Sequence, residues 1–126
     1  MNTGGTVGTA AWVFAATRLN IPSVAVVGMD FGYYSDTSIQ QTQTYYELVN
    51  YVGREKGSED FFVNSVFPLT GEMFYTDPTY YWYRQNFIDL IRRVPGVKTF
   101  NCSEGGTLVD ENISCVYLDQ FLKDNA

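Results

Sequence analysis

Val7, Ala10, Ala11, Phe14 and Ala15 recur at helical spacing and predict a first helix with these residues as its apolar face. It stops before Asn20-Ile21-Pro22, because proline disfavours helical backbone in the residue before it. Val24-Ala25-Val26-Val27 then runs without a polar position to Gly28, the pattern of a short strand covered on both faces in a parallel sheet. Helix followed by strand is half of a βαβ unit. A second helix is predicted over residues 38–52, with Tyr45, Leu48, Val49 and Val52 on one face and Gly53 placed to end it.

Residues 53–60 carry charge and glycine without apolar periodicity and read as an exposed connector. Residues 61–67 and 72–76 are strand-like, and Pro68-Leu69-Thr70-Gly71 between them predicts a hairpin beside the main sheet. Asp77-Pro78 is a strong helix start, an acid at the N-cap followed by proline in the first turn. Tyr80, Tyr83, Phe87, Leu90, Ile91 and Val94 then continue along one face. After Pro95-Gly96, residues 97–102 read as another strand and residues 118–123 as a closing helix. There is no internal repeat.

Composition narrows what this α/β pattern does. At 126 residues, with 45% hydrophobic and 17% aromatic positions, residues 1–126 read as one folded domain. A net charge of −6, from eight basic and fourteen acidic residues, argues against a nucleic-acid partner, which needs a basic stripe. An acidic chain binds a phosphorylated ligand through backbone N–H groups, a few placed cations or a metal ion. The absence of histidine removes Ser-His-Asp and Cys-His catalysis and imidazole-ligated zinc. Cys102 and Cys115 are too few for a disulfide framework and are expected to be reduced and buried. No apolar stretch is long enough to span a bilayer, so no membrane partner and a cytoplasmic location are expected.

Two regions carry candidate chemistry. The first is Thr3-Gly4-Gly5-Thr6-Val7-Gly8 at the start of the first helix. Glycines let backbone approach a phosphate, and the unpaired N–H groups of a helix start favour an anion. Thr3 stands where the dinucleotide fingerprint has its first glycine, while Gly5 and Gly8 hold the second and third positions. A glycine turn serving helix packing alone is the competing reading. The strand that should deliver this loop would lie upstream of Thr3, so the chain is expected to be the C-terminal part of a longer domain, or to take the strand from a neighbouring subunit. A sheet edge left open in this way favours self-association, hence a homo-oligomer.

The second region is a pair of carboxylates expected at strand ends, where open α/β sheets bind ligands. Asp30 follows the strand ending at Gly28, placed to accept a ribose hydroxyl or to hold a magnesium ion bridging phosphates. Glu104 follows the strand ending at Cys102, flanked by Asn101, Ser103 and Gly105-Gly106. Turn or capping roles compete for both acids. Tyr33 and Tyr34 are candidates to stack on a base or sugar, whereas Tyr80 and Tyr83 fit a core face. Arg84 is a candidate phosphate contact, with a surface ion pair as the commoner role.

Thr3-Gly4-Gly5-Thr6-Val7-Gly8, Gly28-Met29-Asp30-Phe31-Gly32 and Asn101-Cys102-Ser103-Glu104-Gly105-Gly106, in this order, resemble the 6-hydroxymethylpterin diphosphokinase MptE-like family, which includes the Maf motility-associated flagellin glycosyltransferases. The resemblance covers nearly the whole chain. A more distant likeness is to bacterial CMP-sialic acid sialyltransferases, whose catalytic histidine this chain lacks. The resemblance implies a Rossmann-like three-layer α/β/α domain with a mostly parallel sheet, to which the hairpin is added. It also implies a cleft in which Thr3, Gly4, Gly5, Thr6 and Gly8 cradle phosphate, Asp30 contacts nucleotide or magnesium, and Glu104 with Ser103 and Gly105 lines the same space. Tyr33, Tyr34, Arg84 and Asn101 are the expected substrate contacts.

The first-ranked reaction is transfer of diphosphate from ATP to a small, pterin-like hydroxymethyl acceptor, with Asp30 on the metal and Glu104 on the acceptor hydroxyl. Glycosyl transfer from a nucleotide-activated sugar is the alternative transferase. A noncatalytic nucleotide-binding or assembly module is the third reading.

Overall fold

The computed structural model describes residues 4–53 and 57–126, so Thr3 and the centre of the charged connector lie outside the described residues. The fold is mixed α/β. Helix α1 (Val7–Thr17) leads into strand β1 (Ser23–Val26), and a two-residue strand β2 (Tyr33–Tyr34) follows. The predicted second helix is split into a 3-10 turn at Ile39–Gln41 and α2 (Tyr45–Val52), which ends at Gly53 with φ 78°. A second 3-10 turn (Ser58–Phe61) takes the start of the predicted strand, leaving β3 (Val63–Val66), which pairs with β4 (Met73–Thr76). Helix α3 (Pro78–Arg93), β5 (Lys98–Asn101), β6 (Ile113–Cys115) and α4 (Leu118–Asp124) complete the order.

Two three-stranded sheets result. One is parallel, in the order β1-β5-β6, with Val24 beside Thr99 and Thr99 beside Ile113. The other is antiparallel, in the order β2-β4-β3. The expected hairpin therefore forms, but its other partner is β2 and not the parallel sheet. Neither β2 nor β6 has enough residues to establish a periodicity, which is why the hydrophobic pattern shows neither.

Helix α3 forms as its start signal predicts. The Asp77 carboxylate accepts the Tyr80 N–H at 2.8 Å, Pro78 opens the first turn, and Arg92 and Arg93 sit in the last turn, where the helix dipole favours cations. Phe87, Leu90 and Ile91 are buried as expected, joined by Ile88.

Helix α1 also forms, but the predicted apolar face is wrong. Val7 is 88% exposed and Phe14 51%, while Thr9, Trp12, Val13 and Ala16 are buried. Residues 10–16 are all apolar, so spacing alone selects no face, and the tryptophan decides it. Trp12 packs edge-on against Phe87 and donates its indole N–H to Thr99 Oγ1 at 3.0 Å, tying α1 to α3 and β5. Burying an aromatic of this kind contributes roughly 1.5–3 kcal/mol, and the bonded indole avoids the desolvation penalty of an unpaired N–H.

Trp12, Val26, Phe31, Phe87, Ile88, Leu108 and Ile113 are among the residues of one core between α1, α3 and the parallel sheet. On the alternate strand position Phe100 meets Phe121 of α4. Cys102 is buried and Cys115 half-buried, and both thiols are free. Among the described residues no helix is long and apolar enough to cross a membrane.

Candidate functional site

The first two sequence motifs meet at the carboxyl end of β1. Gly4 and Gly5 have φ of 71° and 88°, which lets the chain turn into α1, and Thr6 caps the helix. Thr6 and Thr9 form a reciprocal capping box: Thr9 N–H donates to Thr6 Oγ1 at 3.1 Å and Thr6 N–H to Thr9 Oγ1 at 3.2 Å. Ala10 N–H reaches the Thr6 carbonyl. The first-turn N–H groups of Val7 and Gly8 are then left for an anion.

A cavity of about 420 Å³ opens here, lined by Thr6 and Gly8 of the loop, Gly28, Met29, Asp30, Phe31 and Gly32 after β1, and Tyr80 of α3. Volume and position fit the ligand sites of open parallel sheets, which lie outside the carboxyl ends of the strands. A cavity of similar volume, about 430 Å³, lies at the opposite end of β5 among Arg92, Lys98 and Glu111, and gathers none of the motif residues.

Among the described residues Asp30 supplies the only carboxylate of the first cavity. Although the residue as a whole is exposed, partial burial pushes its carboxyl above the ordinary carboxylate range, and both ion pairs among the described residues lie elsewhere. A partly buried carboxylate without a cation partner is a donor of the kind that, as one oxygen ligand among others, suits magnesium. It does not suit an all-protein metal cage, and among the described residues no three His, Cys, Asp or Glu side chains group to form one.

The turn that presents Asp30 is held from behind by the third motif. Phe31 adopts φ 50°, strained for a non-glycine residue, with its ring buried against Phe87. Thr107 fixes this conformation: its N–H donates to the Asp30 carbonyl at 2.8 Å, and its hydroxyl lies 2.8 Å from the Phe31 carbonyl and 3.1 Å from that of Asp30. A Cβ at Gly106 would come within 2.7 Å of Asp30 Cα, and one at Gly32 within 2.5 Å of the Tyr75 carbonyl oxygen. Both glycines are therefore required by close backbone approach. Ser103 Oγ accepts the Gly28 N–H at 3.0 Å and joins the two strand ends directly.

Several predicted site residues take other places. Asn101 is fully buried; its amide donates to the Leu108 carbonyl at 2.9 Å and accepts the Ser103 N–H at 3.0 Å. Arg84 donates to the carbonyls of Thr107 and Val109, both at 2.6 Å, and so clamps the segment that follows the third motif. Gly105 is buried against Phe74, and Glu104 is exposed at the tip of its turn with φ 61°. None of these four lines the cavity, and the loop glycines Gly4 and Gly5 shape it without lining it.

Tyr33 packs between the rings of Tyr75 and Tyr80 and donates to Asp77 Oδ2 at 3.0 Å. Burial, reinforced by the nearby Asp77 charge, pushes its phenol above the usual value. Tyr34 is exposed beside Phe74. Conversely, Tyr80 reaches the cavity although helical spacing assigns it to the core; its place one turn after the Asp77 cap, at the mouth of the fold, is the signal that spacing overlooks. No family model, curated protein or solved structure matches the chain.

Proposed function

We propose that the chain is a nucleotide-dependent transferase whose nucleotide lies in the cavity between α1 and the turn after β1. The observation that carries this reading is that the start of α1, through Thr6 and Gly8, and the partly buried Asp30 carboxylate line one cavity at a strand end. The fold reading that accompanies it is a Rossmann-like three-layer domain, supported by α1 and α3 on one side of the parallel sheet and by Phe121 of α4 against Phe100 on the alternate position.

The reaction that fits best is diphosphate transfer from ATP to a small hydroxymethyl acceptor. The acceptor oxygen bonds to the β-phosphorus, the bond from that phosphorus to the α,β-bridging oxygen breaks, AMP leaves with the electron pair, and the hydroxyl proton passes to solvent. Such chemistry rests on positioning and charge neutralisation and uses no protein nucleophile, in keeping with a chain that has no histidine. Val7 and Gly8 N–H groups would hold phosphate oxygens, and Asp30 would hold magnesium, which when bound neutralises phosphate charge.

Thermal denaturation with magnesium and ATP, set against CTP, CMP and UDP, tests the reading. At a hundredfold excess over Kd the favoured nucleotide adds about 2.7 kcal/mol of stability, and ATP is expected to give the largest rise in Tm. Equal, null responses to all four would refute it.

A further inference from the structure

A second cavity of about 240 Å³ adjoins the first across Tyr80, which lines both. Its wall comes from the segment leading into α2 and from the first turns of α3. Glu47 and Asp77 bring carboxylates, Gln43 an amide, Thr79 a hydroxyl, and Tyr83 a phenol; among the described residues no lysine or arginine lines it. Asp77 is 1% exposed and held rigidly, with the Tyr80 N–H on Oδ1 and the hydroxyls of Tyr33 and Thr44 on Oδ2, both at 3.0 Å. Three protein donors thus hold this carboxylate in the cavity wall, and Glu47 is the carboxylate left to meet a ligand.

The cavity also borders the glycine loop. A Cβ at Gly5 would lie 3.0 Å from Tyr83 Cε1, so the ring that walls this cavity rests on the loop that opens α1. Tyr80 is the side chain that separates a ligand seated here from the cavity that Gly8 lines.

We propose that this second cavity is the acceptor subsite and takes an uncharged, hydroxyl-bearing ring of monosaccharide size in preference to an anion. The acceptor role rests on the nucleotide reading of the first cavity; the ligand class rests on the second cavity alone. Its volume is that of about eight liquid waters, room for one ring. The Glu47 carboxylate and the Gln43 amide meet hydroxyl donors, the phenols cover apolar ring surface, and the lack of a cation among the described lining residues leaves a carboxylate ligand unpaired beside like charge.

The test is a titration of the isotope-labelled chain with methyl glucoside and with glucuronate, followed by amide NMR, with separate titrations of magnesium and ATP. Methyl glucoside is expected to shift the amides of Gln43, Glu47 and Thr79, and glucuronate to bind at least about tenfold more weakly. In Glu47→Gln that preference should shrink to about threefold or less. Glucuronate binding as tightly as the glucoside, or glucoside shifts absent from these amides, overturns the proposal. ATP binding without glucoside binding overturns it alone. Glucoside binding without ATP binding overturns the nucleotide reading and the acceptor role, and upholds the ligand class.

Discussion

The turn after β1 and the turn after β5 look alike in sequence: each follows a strand, each carries an acid, and each contains glycine. In the fold they divide the work. The first, residues 28–32, faces a cavity, and among the described residues no cation pairs with its Asp30 carboxylate. The second, residues 102–107, turns its acid to solvent and directs its backbone and Thr107 onto the first. A strand-end acid is thus available to a ligand only where the adjoining backbone opens onto a cavity. An equally suggestive one serves a loop whose purpose is to hold its neighbour.

This contrast is sharpest at the close backbone contacts. Gly106→Ala places a Cβ within 2.7 Å of Asp30 at φ 91°, and Gly32→Ala places one within 2.5 Å of the Tyr75 carbonyl. Each should destabilise the fold by about 2–4 kcal/mol, read by urea denaturation, and should weaken ligand binding by moving Asp30. A fully stable Gly106→Ala would show that the second turn does not buttress the first.

Next in size is Arg84→Ala, which leaves the Thr107 and Val109 carbonyls without their donors. A loss of about 1–3 kcal/mol is expected, with faster amide exchange across residues 105–109. Arg84→Lys should recover only part of it, since an ammonium does not reproduce the forked geometry.

Asp30→Asn should behave in the opposite way. Burial raises the native carboxyl above the ordinary carboxylate range, so the native state binds the proton more readily than the unfolded state. Wild-type stability therefore falls as pH rises from the ordinary carboxylate value through the raised one, and the penalty is complete above it. The substitution removes the penalty: the variant should gain stability relative to wild type between about pH 3 and pH 7, as denaturation at the two pH values would register. The smallest effect belongs to Glu104→Gln, expected within about 0.5 kcal/mol of wild type and without effect on nucleotide affinity. A large loss of affinity there would return the second turn to the site.

Local chemistry was the legible part. Asp77-Pro78 marks a helix start because cap, proline and first turn are neighbours in sequence, and Gly53 ends α2 for the same reason. The glycine loop and Asp30 were visible as motifs, since both obey short-range rules. The roles of Asn101, Arg84 and Gly105 were not, because each acts on partners brought near by folding: Thr107 meets Asp30 across 77 positions of chain. The buried side of α1 failed to show because its apolar residues surround the helix, and only the Trp12 contact with Thr99 and Phe87 selects one.

Calorimetric titration of magnesium and ATP into wild type and Asp30→Asn tests the central claim most directly. One binding site is predicted in wild type, weakened at least about tenfold by the substitution, with wild-type affinity falling on acidification as the Asp30 carboxyl gains its proton. Absence of binding, or equal affinity in the two proteins, would contradict the assignment of this cavity to a nucleotide.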